Sequence, residues 1–144
     1  MAAPLENLVA QKQLKAEAAS PAEISSLLKR AAGLLTDAGN SALGASSRFT
    51  LAYDAAFALA TAALRMSGYR ADAARGHRAV VFQVLPHTLN ASAELWTSLS
   101  GMHERRNSVE YSAALAPTES EARELLSLAR KLDGMVRARF ALSR

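Results

Sequence analysis

A long run of small and apolar side chains over residues 46–66 constrains the fold of this chain most strongly. The run contains neither glycine nor proline, and good helix formers without breakers favour one continuous helix that ends near Gly68. Because alanine lets neighbouring helices approach closely, we expect this helix to be central in the fold. Its apolar residues cover a broad arc: Phe49, Ala52, Tyr53, Ala56, Phe57, Ala60, Ala63 and Leu64.

A capping signal precedes a second helix. Ser20, Pro21 and Glu23 occupy the N-cap, first-turn and capping-box positions, and an apolar stripe at helical spacing follows them. Gly39 is expected to end this helix in the left-handed cap conformation. The same capping-box spacing recurs at Thr118 and Glu121, which predicts a last helix that runs to about residue 142.

Three further helices are predicted from weaker signals. One covers residues 5–16, and one begins at Asn90 as its cap and continues to about residue 114. Residues 79–85 begin like a β-strand, but helix is preferred because no second strand is predicted to pair with them, and Pro86 ends or kinks that helix. The chain is therefore predicted to be all-α, a single domain over residues 1–144 folded as an antiparallel bundle of five to six helices.

Composition narrows the classes of function. The chain has 144 residues and no cysteine, which excludes disulfide scaffolds and cysteine-ligated metals. Neither a secretory signal nor a membrane-spanning segment is predicted, so we expect a cytoplasmic protein without a membrane partner. The net charge of +4 is compatible with nucleic-acid contact and does not establish it.

The stretch "HERRNSVEY" interrupts an apolar helix face. Measured from Leu95, Leu99 lies at about 40° and Arg106 at about 20°, in the middle of the apolar stripe. Arg105 lies at about −80°, where it can reach solvent. Arg106 therefore occupies a position where a core residue is expected, and a buried guanidinium requires partners.

Two interpretations fit this polar patch of Arg106, Asn107, Glu110 and Tyr111. In one, Arg106 reaches the surface and pairs with Glu110, four residues further on. In the other, the patch is a partly buried polar site, with His103 and Trp96 nearby, that faces a second subunit. Trp96 is expected to anchor the core or an interface rather than to stack on a base.

Basic residues cluster between residues 65 and 78: Arg65, Arg70, Arg75, His77 and Arg78, opposed by Asp72. They are expected to form either a solvated loop or a rim that contacts phosphate. The histidines lack metal-ligand spacing, so no metal and no cofactor is predicted, and capping or surface roles are expected for them. In the central helix, Tyr53 is expected to be core with its hydroxyl at an edge, and Asp54 to pair with an arginine.

The segments "RFTLAYDAAFALATAALRMSGYR", "GHRAVVFQVL" and "RRNSVEY" resemble, in this order of elements, the HEPN domain, a family of small helical nucleotide-binding proteins. The likeness covers residues 20–132. In that family an arginine, a polar residue that is commonly asparagine, and a histidine four to six residues after the arginine form a metal-independent ribonuclease site. Two such sites face each other across a homodimer, and the resemblance places Asp54 near Arg106.

Arg106 and Asn107 match the start of that motif, whereas Tyr111 occupies the place of the histidine. A tyrosine with a pKa of about 10 is a poor base at neutral pH, while an arginine fork can still hold a phosphate. The resemblance thus implies a homodimer that binds RNA or a nucleotide through Arg106, Asn107 and Glu110, with nuclease activity weak or lost. The basic residues Arg75, His77 and Arg78 would add to this site.

Three hypotheses about function follow. By resemblance, the RNA- or nucleotide-binding protein would belong to a toxin–antitoxin or defence module, with a cognate toxin or antitoxin as a partner. An alternative is a protein-binding antitoxin or adaptor without a nucleic-acid role. A third is a metal-independent endoribonuclease that uses Arg106 with Tyr111, or with a histidine from elsewhere such as His103.

Overall fold

The structure is a computed structural model that describes residues 3–72, 78–111 and 115–143. In these ranges the chain forms helices α1 to α7 and strands β1 and β2. In chain order they are α1 (Ala3–Ala10), β1 (Leu14–Ala16), α2 (Pro21–Ala38), α3 (Ala45–Met66), β2 (Tyr69–Ala71), α4 (Val80–Gln83), α5 (Leu85–Thr88), α6 (Ala93–Tyr111) and α7 (Glu119–Ser143). The prediction of an all-α helical bundle is confirmed.

The helix α3 lies at the centre of the bundle, as its alanine content predicted. It packs mainly against α2 and α7, and most of its residues from 52 to 65 are buried. A single hydrophobic cluster joins it to the other elements. Among the described residues, none of the helices combines the length and the apolar character that a membrane span requires.

Contacts between helix ends fix the directions of the main helices. Arg65 at the end of α3 binds Glu23 at the start of α2, so these two helices are antiparallel. By contrast, Arg48 and Glu119 join the first turns of α3 and α7. Arg139 and Ser67 join their last turns. The last helix therefore runs parallel to the central one, so the predicted antiparallel arrangement holds for α2 and is wrong for α7.

Local capping signals were good predictors of helix starts. The Ser20 hydroxyl accepts a hydrogen bond from the Glu23 backbone N–H at 3.2 Å, which confirms the predicted N-cap. The helix α3 ends at Met66, and Gly68 follows with φ of +91°, a backbone conformation that favours glycine. Gly39, however, caps α2 in the right-handed region (φ −85°, ψ −2°), so the predicted left-handed cap is wrong.

Two other boundary predictions are wrong. The helix predicted over residues 5–16 ends at Ala10, because Lys12 takes φ of +62° and β1 then pairs antiparallel with β2. Asn90 does not cap α6. It adopts φ of +54°, and the Ser92 hydroxyl accepts from the Leu95 N–H instead.

The segment around Pro86 is helical, as predicted, and is divided in two. The chain bends at Val84 (φ −91°, ψ 0°), which ends α4, and Pro86 lies in the first turn of α5. Proline is tolerated there because the first N–H groups of a helix have no intrahelical acceptor. Helix was predicted here because no second strand was expected, yet the described residues contain one small sheet, formed by β1 and β2.

The capping box of α7 is confirmed in both directions. Glu121 N–H donates to Thr118 Oγ1 at 3.1 Å, and Thr118 N–H donates to Glu121 Oε1 at 3.0 Å. Arg105 adds two bonds to the same carboxylate, at 2.8 and 3.1 Å. These hydrogen bonds, chiefly that from Arg105, lower the pKa of Glu121 from 4.5 to about 2.

We expect Glu121→Gln to lower the free energy of unfolding at pH 7 by about 1 kcal/mol, since the ion pair is partly exposed to solvent. The pKa of Glu121 is lower in the folded chain than in the unfolded chain. Its carboxylate therefore stabilises the fold at pH values above the unfolded pKa, and this contribution disappears as the pH falls toward 2. Urea unfolding at pH 7 and at pH 2 measures both effects. Glu124→Gln, a change at an exposed position on the same helix, is the control. An equal loss at both pH values would contradict the prediction.

Candidate functional site

Three polar side chains, linked by hydrogen bonds, connect α3 to α6 inside the bundle. The Tyr53 hydroxyl lies 2.8 Å from His103 Nδ1, and His103 Nε2 lies 3.2 Å from Asn107 Nδ2. Tyr53 and His103 are 1% and 8% exposed, so the hydrogen bond between them is buried. His103 and Asn107 are four residues apart, which places them one above the other on the same face of α6.

The two hydrogen bonds together define the state of the imidazole. With its amide nitrogen toward His103, Asn107 donates and Nε2 accepts. The proton of the neutral ring then lies on Nδ1, which donates to the Tyr53 oxygen. Asn107 therefore orients the histidine.

Burial keeps the His103 ring and the Tyr53 hydroxyl uncharged, and nearby positive charge acts in the same direction on His103. Burial lowers the pKa of His103 below 6.5, and the positive charges of Arg106 and Arg78 lower it further, while Glu104 acts in the opposite direction. Burial also raises the pKa of Tyr53 above 10, an effect that the same two arginines partly offset. At neutral pH the site consists of uncharged Tyr53 and His103 beside two cations.

These two cations lie on neighbouring aromatic rings. The Arg106 guanidinium carbon is 4.9 Å from the centroid of the Tyr53 ring, and that of Arg78 is 4.3 Å from the centroid of Phe57. Tyr53 and Phe57 occupy successive turns of α3, with ring centroids 6.4 Å apart and planes inclined by 17°. Two arginine heads thus lie on two neighbouring rings of α3.

Phe82 completes the aromatic cluster and brings α4 into the site. Its ring lies 6.0 Å from Tyr53, 6.3 Å from Phe57 and 5.9 Å from His103, measured between centroids. Because α4 begins two residues after Arg78, the burial of Phe82 fixes the position from which that arginine reaches Phe57. The site is therefore assembled from three separate segments of the chain.

The two arginines of "HERRNSVEY" have different roles. Arg106 is half-buried over Tyr53, on the apolar stripe where the helical spacing placed it. Arg105 was expected to reach solvent. It binds Glu121 and donates to the carbonyls of Leu115 and Ala116, which ties α6 to the start of α7.

The structure separates the predicted basic cluster. Arg65 is buried in the last turn of α3 and is bound by Glu17 and Glu23, so it belongs to the core and not to a solvated loop. Arg70 pairs with Glu17 at 2.7 Å. Of this cluster, Arg78 reaches the aromatic site, while Arg75 and His77 lie outside the described residues.

The other residues that the sequence analysis singled out are Glu110, Tyr111, Trp96 and Asp54. The side chains of Glu110 and Tyr111 lie outside the described part of the structure. Trp96 is half-buried and packs against the core. Asp54 makes no ion pair with any described residue, contrary to expectation.

Sequence reasoning missed the pairing of Tyr53 with His103. Tyr53 was expected to place its hydroxyl at an edge, and His103 to have a surface or capping role; both expectations are wrong, because the two side chains satisfy each other in the interior. The helical spacing between His103 and Asn107 was the available signal. Sequence alone gave no indication that an element fifty residues away would supply the partner.

The space around this site limits what it can hold. The cavity beside Arg106, between α3, α6 and Pro117, has a volume of about 40 Å³. That is room for a water molecule and not for a nucleotide base. Within the described ranges, no group of three or more His, Asp or Glu side chains is placed to hold a metal ion. The arrangement is thus suited to contact a ligand from the surface.

Any function of this chain is inferred from the geometry of the site, because the comparisons with known proteins found no match. No protein-family model, no curated protein and no solved structure matches this sequence.

Proposed function

We propose that this chain binds the phosphate groups of RNA or of a nucleotide at the paired guanidinium groups of Arg78 and Arg106. The observation that supports it is the placement of two cations on adjacent stacked rings. Both arginines act to lower the pKa of Tyr53 and of His103, so an anion bound at these rings would interact with both positive charges. A guanidinium whose face lies on an aromatic ring can still present its N–H fork edgewise to phosphate oxygens.

The small cavity favours RNA over an isolated nucleotide. A nucleotide-binding pocket normally encloses most of its ligand, and about 40 Å³ beside Arg106 cannot enclose a base. A single-stranded RNA needs no such enclosure, because successive phosphates contact a basic surface. In this proposal Arg78 and Arg106 contact phosphate, and Asn107 acts indirectly by orienting His103, whose pKa both arginines lower.

Binding is favoured over catalysis for a chemical reason. General base catalysis in RNA cleavage needs a nitrogen or oxygen within hydrogen-bond distance of the 2′-hydroxyl. Both ring nitrogens of His103 already have partners in the protein, and the raised pKa of Tyr53 makes it a weak base at neutral pH. We therefore propose that nuclease activity is weak or lost.

The ribonuclease alternative has one observation in its favour, a neutral imidazole near two arginines. If it holds, the protein cleaves RNA in the presence of EDTA and His103→Gln abolishes cleavage.

The resemblance to the HEPN domain supports a cytoplasmic homodimer within a toxin–antitoxin or defence module. Light scattering tests the dimer, and co-purification with a cognate partner tests the module.

We expect Arg106→Ala and Arg78→Ala each to weaken RNA binding about 10-fold at low salt, because each removes a charge-assisted phosphate contact. The probe is a short, end-labelled single-stranded RNA, and the measurement is fluorescence anisotropy between about 50 and about 200 mM salt. Each variant should also reduce the slope of log K against log salt by about 1. A nucleoside diphosphate, used as a competitor, separates recognition of a single nucleotide from recognition of a chain.

Lys131→Ala is the control for charge alone, since Lys131 is exposed on α7 away from the aromatic rings. It should leave affinity and slope close to those of the unaltered protein. Equal losses in all three variants would indicate nonspecific attraction to a basic protein. Binding that is insensitive to salt and to both arginines would favour the protein-binding alternative.

A further inference from the structure

A second and larger cavity, with Phe57 in its wall, lies between α2, α3, β2 and the start of α4. Its volume is about 420 Å³, within the range of small-molecule sites in proteins. Its lining combines apolar side chains, among them Leu27, Phe57 and Val81, with polar or charged ones, among them Glu23, Arg30 and Thr61. Phe57 belongs to both sites, whereas Arg78 and Arg106 do not line this cavity.

The charges around this cavity leave one arginine in excess. Three arginines line it against one glutamate, Glu23. Arg65 binds both Glu23 and Glu17, and Arg70 shares Glu17, which accounts for two cations and two carboxylates. Arg30 is exposed and forms no ion pair with any residue that the structure describes. The excess positive charge therefore lies at the rim.

The wall of the cavity also contains a polar group that the described part of the chain does not satisfy. Thr61 Oγ1 is buried and has no hydrogen-bond partner there. A threonine in a helix usually donates to a carbonyl of the preceding turn, so an unsatisfied hydroxyl in a helix is costly. An oxygen from a ligand would relieve that cost after a small rotation of the side chain.

We propose that this cavity binds a small amphiphilic carboxylate, with its hydrocarbon part against Leu27, Phe57 and Val81 and its carboxylate at Arg30. The apolar walls supply most of the contact area, and the single excess cation at the rim matches one negative charge. An arginine fork donates two parallel hydrogen bonds to a carboxylate. Its charged anchor, Arg30, is separate from Arg78 and Arg106, so either proposal can fail without the other, although both sites use the Phe57 ring.

Calorimetric titration of the full chain with decanoate tests the proposal, with decan-1-ol as the uncharged analogue of equal chain length. We expect saturable binding of decanoate and at least about 10-fold weaker binding of the alcohol. In ¹H–¹³C spectra, the methyl resonances of Leu27, Leu64 and Val81 should shift on binding. These observations use the unaltered protein and do not depend on any variant folding correctly.

Two variants and a matched control locate the site. Arg30→Gln should weaken decanoate binding about 10-fold and leave decan-1-ol binding unchanged. Thr61→Leu, which fills the cavity, should weaken both. Lys29→Gln removes the same charge from the adjacent position on α2, where the side chain lines a different hollow, and should change neither affinity.

Equal affinity for the acid and the alcohol would overturn the assignment of Arg30 as the anchor. Methyl shifts confined to residues away from the cavity, or no saturable binding of either probe, would overturn the site itself. An equal effect of Arg30→Gln and Lys29→Gln would reduce the result to general attraction between a cation and an anion.

Discussion

Replacing Arg65 with methionine should lower the free energy of unfolding by about 3 kcal/mol, among the largest losses expected from one substitution in this chain. The Arg65 side chain is 3% exposed and lies where α2, α3 and the small sheet meet. It donates to the carbonyls of Glu17, Ala18 and Tyr69 and to the carboxylates of Glu17 and Glu23.

The expected cost of Arg65→Met comes mainly from the backbone. Methionine fills a similar volume, but it leaves the carbonyl groups of Glu17, Ala18 and Tyr69 without their donor, and the bond to Tyr69 is buried. The two carboxylates are 45% and 37% exposed, so they can regain water and contribute less. Urea unfolding at pH 7 measures the loss, and an unchanged m-value would show that the native fold is retained.

Arg70→Met is the matched control for this prediction. Arg70 also pairs with Glu17, but its side chain is 47% exposed, and we expect a loss below about 1 kcal/mol. Arg65→Lys should fall between the two, because an ammonium group cannot reproduce the planar fork. Similar losses for Arg65→Met and Arg70→Met would contradict the assigned role of Arg65.

The contrast between Ser20 and Lys12 shows what could be predicted from the sequence. The Ser20 cap and the Thr118–Glu121 capping box depend on residues three positions apart, so the sequence pattern contains all the participants. The end of α1 depends on β1, whose partner β2 lies more than fifty residues further along the chain. A short strand of that kind has no local signal strong enough to override helix propensity.

The candidate site shows the same division. Helical spacing placed Arg106 on the inner face of α6 and distinguished it from Arg105. It could not show that Tyr53 and Phe57 would supply the surfaces on which Arg106 and Arg78 lie, because those contacts join separate helices. Nor could it show that Arg65 belongs to the core, since an arginine next to a basic loop is usually exposed.

The stability of the protein should fall as the pH is lowered below about 6.5, chiefly through His103. The pKa of His103 is depressed in the folded chain, so the unfolded state binds more protons between the folded value and 6.5. The contribution of a neutral buried histidine is complete above 6.5 and is lost as the pH falls through the folded pKa. The slope can reach about 1.4 kcal/mol per pH unit over that range.

Denaturant unfolding between about pH 7 and pH 5 measures this slope. His103→Gln removes the titrating group, so its stability should depend less on pH, even though the loss of the Tyr53 contact lowers stability overall. His87→Gln removes an exposed histidine and should leave the slope unchanged. The same slope in all three proteins would show that carboxylates, and not His103, dominate the acid response.

The histidine also links stability to the proposed phosphate contact. Arg78 and Arg106 help to depress the pKa of His103, and a phosphate bound between them would neutralise part of their charge. Bound RNA should therefore raise the pKa of His103, and by linkage RNA should bind more tightly as the pH falls through that pKa. An NMR titration of the His103 ring with and without RNA measures the shift. An unchanged pKa at saturating RNA would place the RNA away from the two arginines.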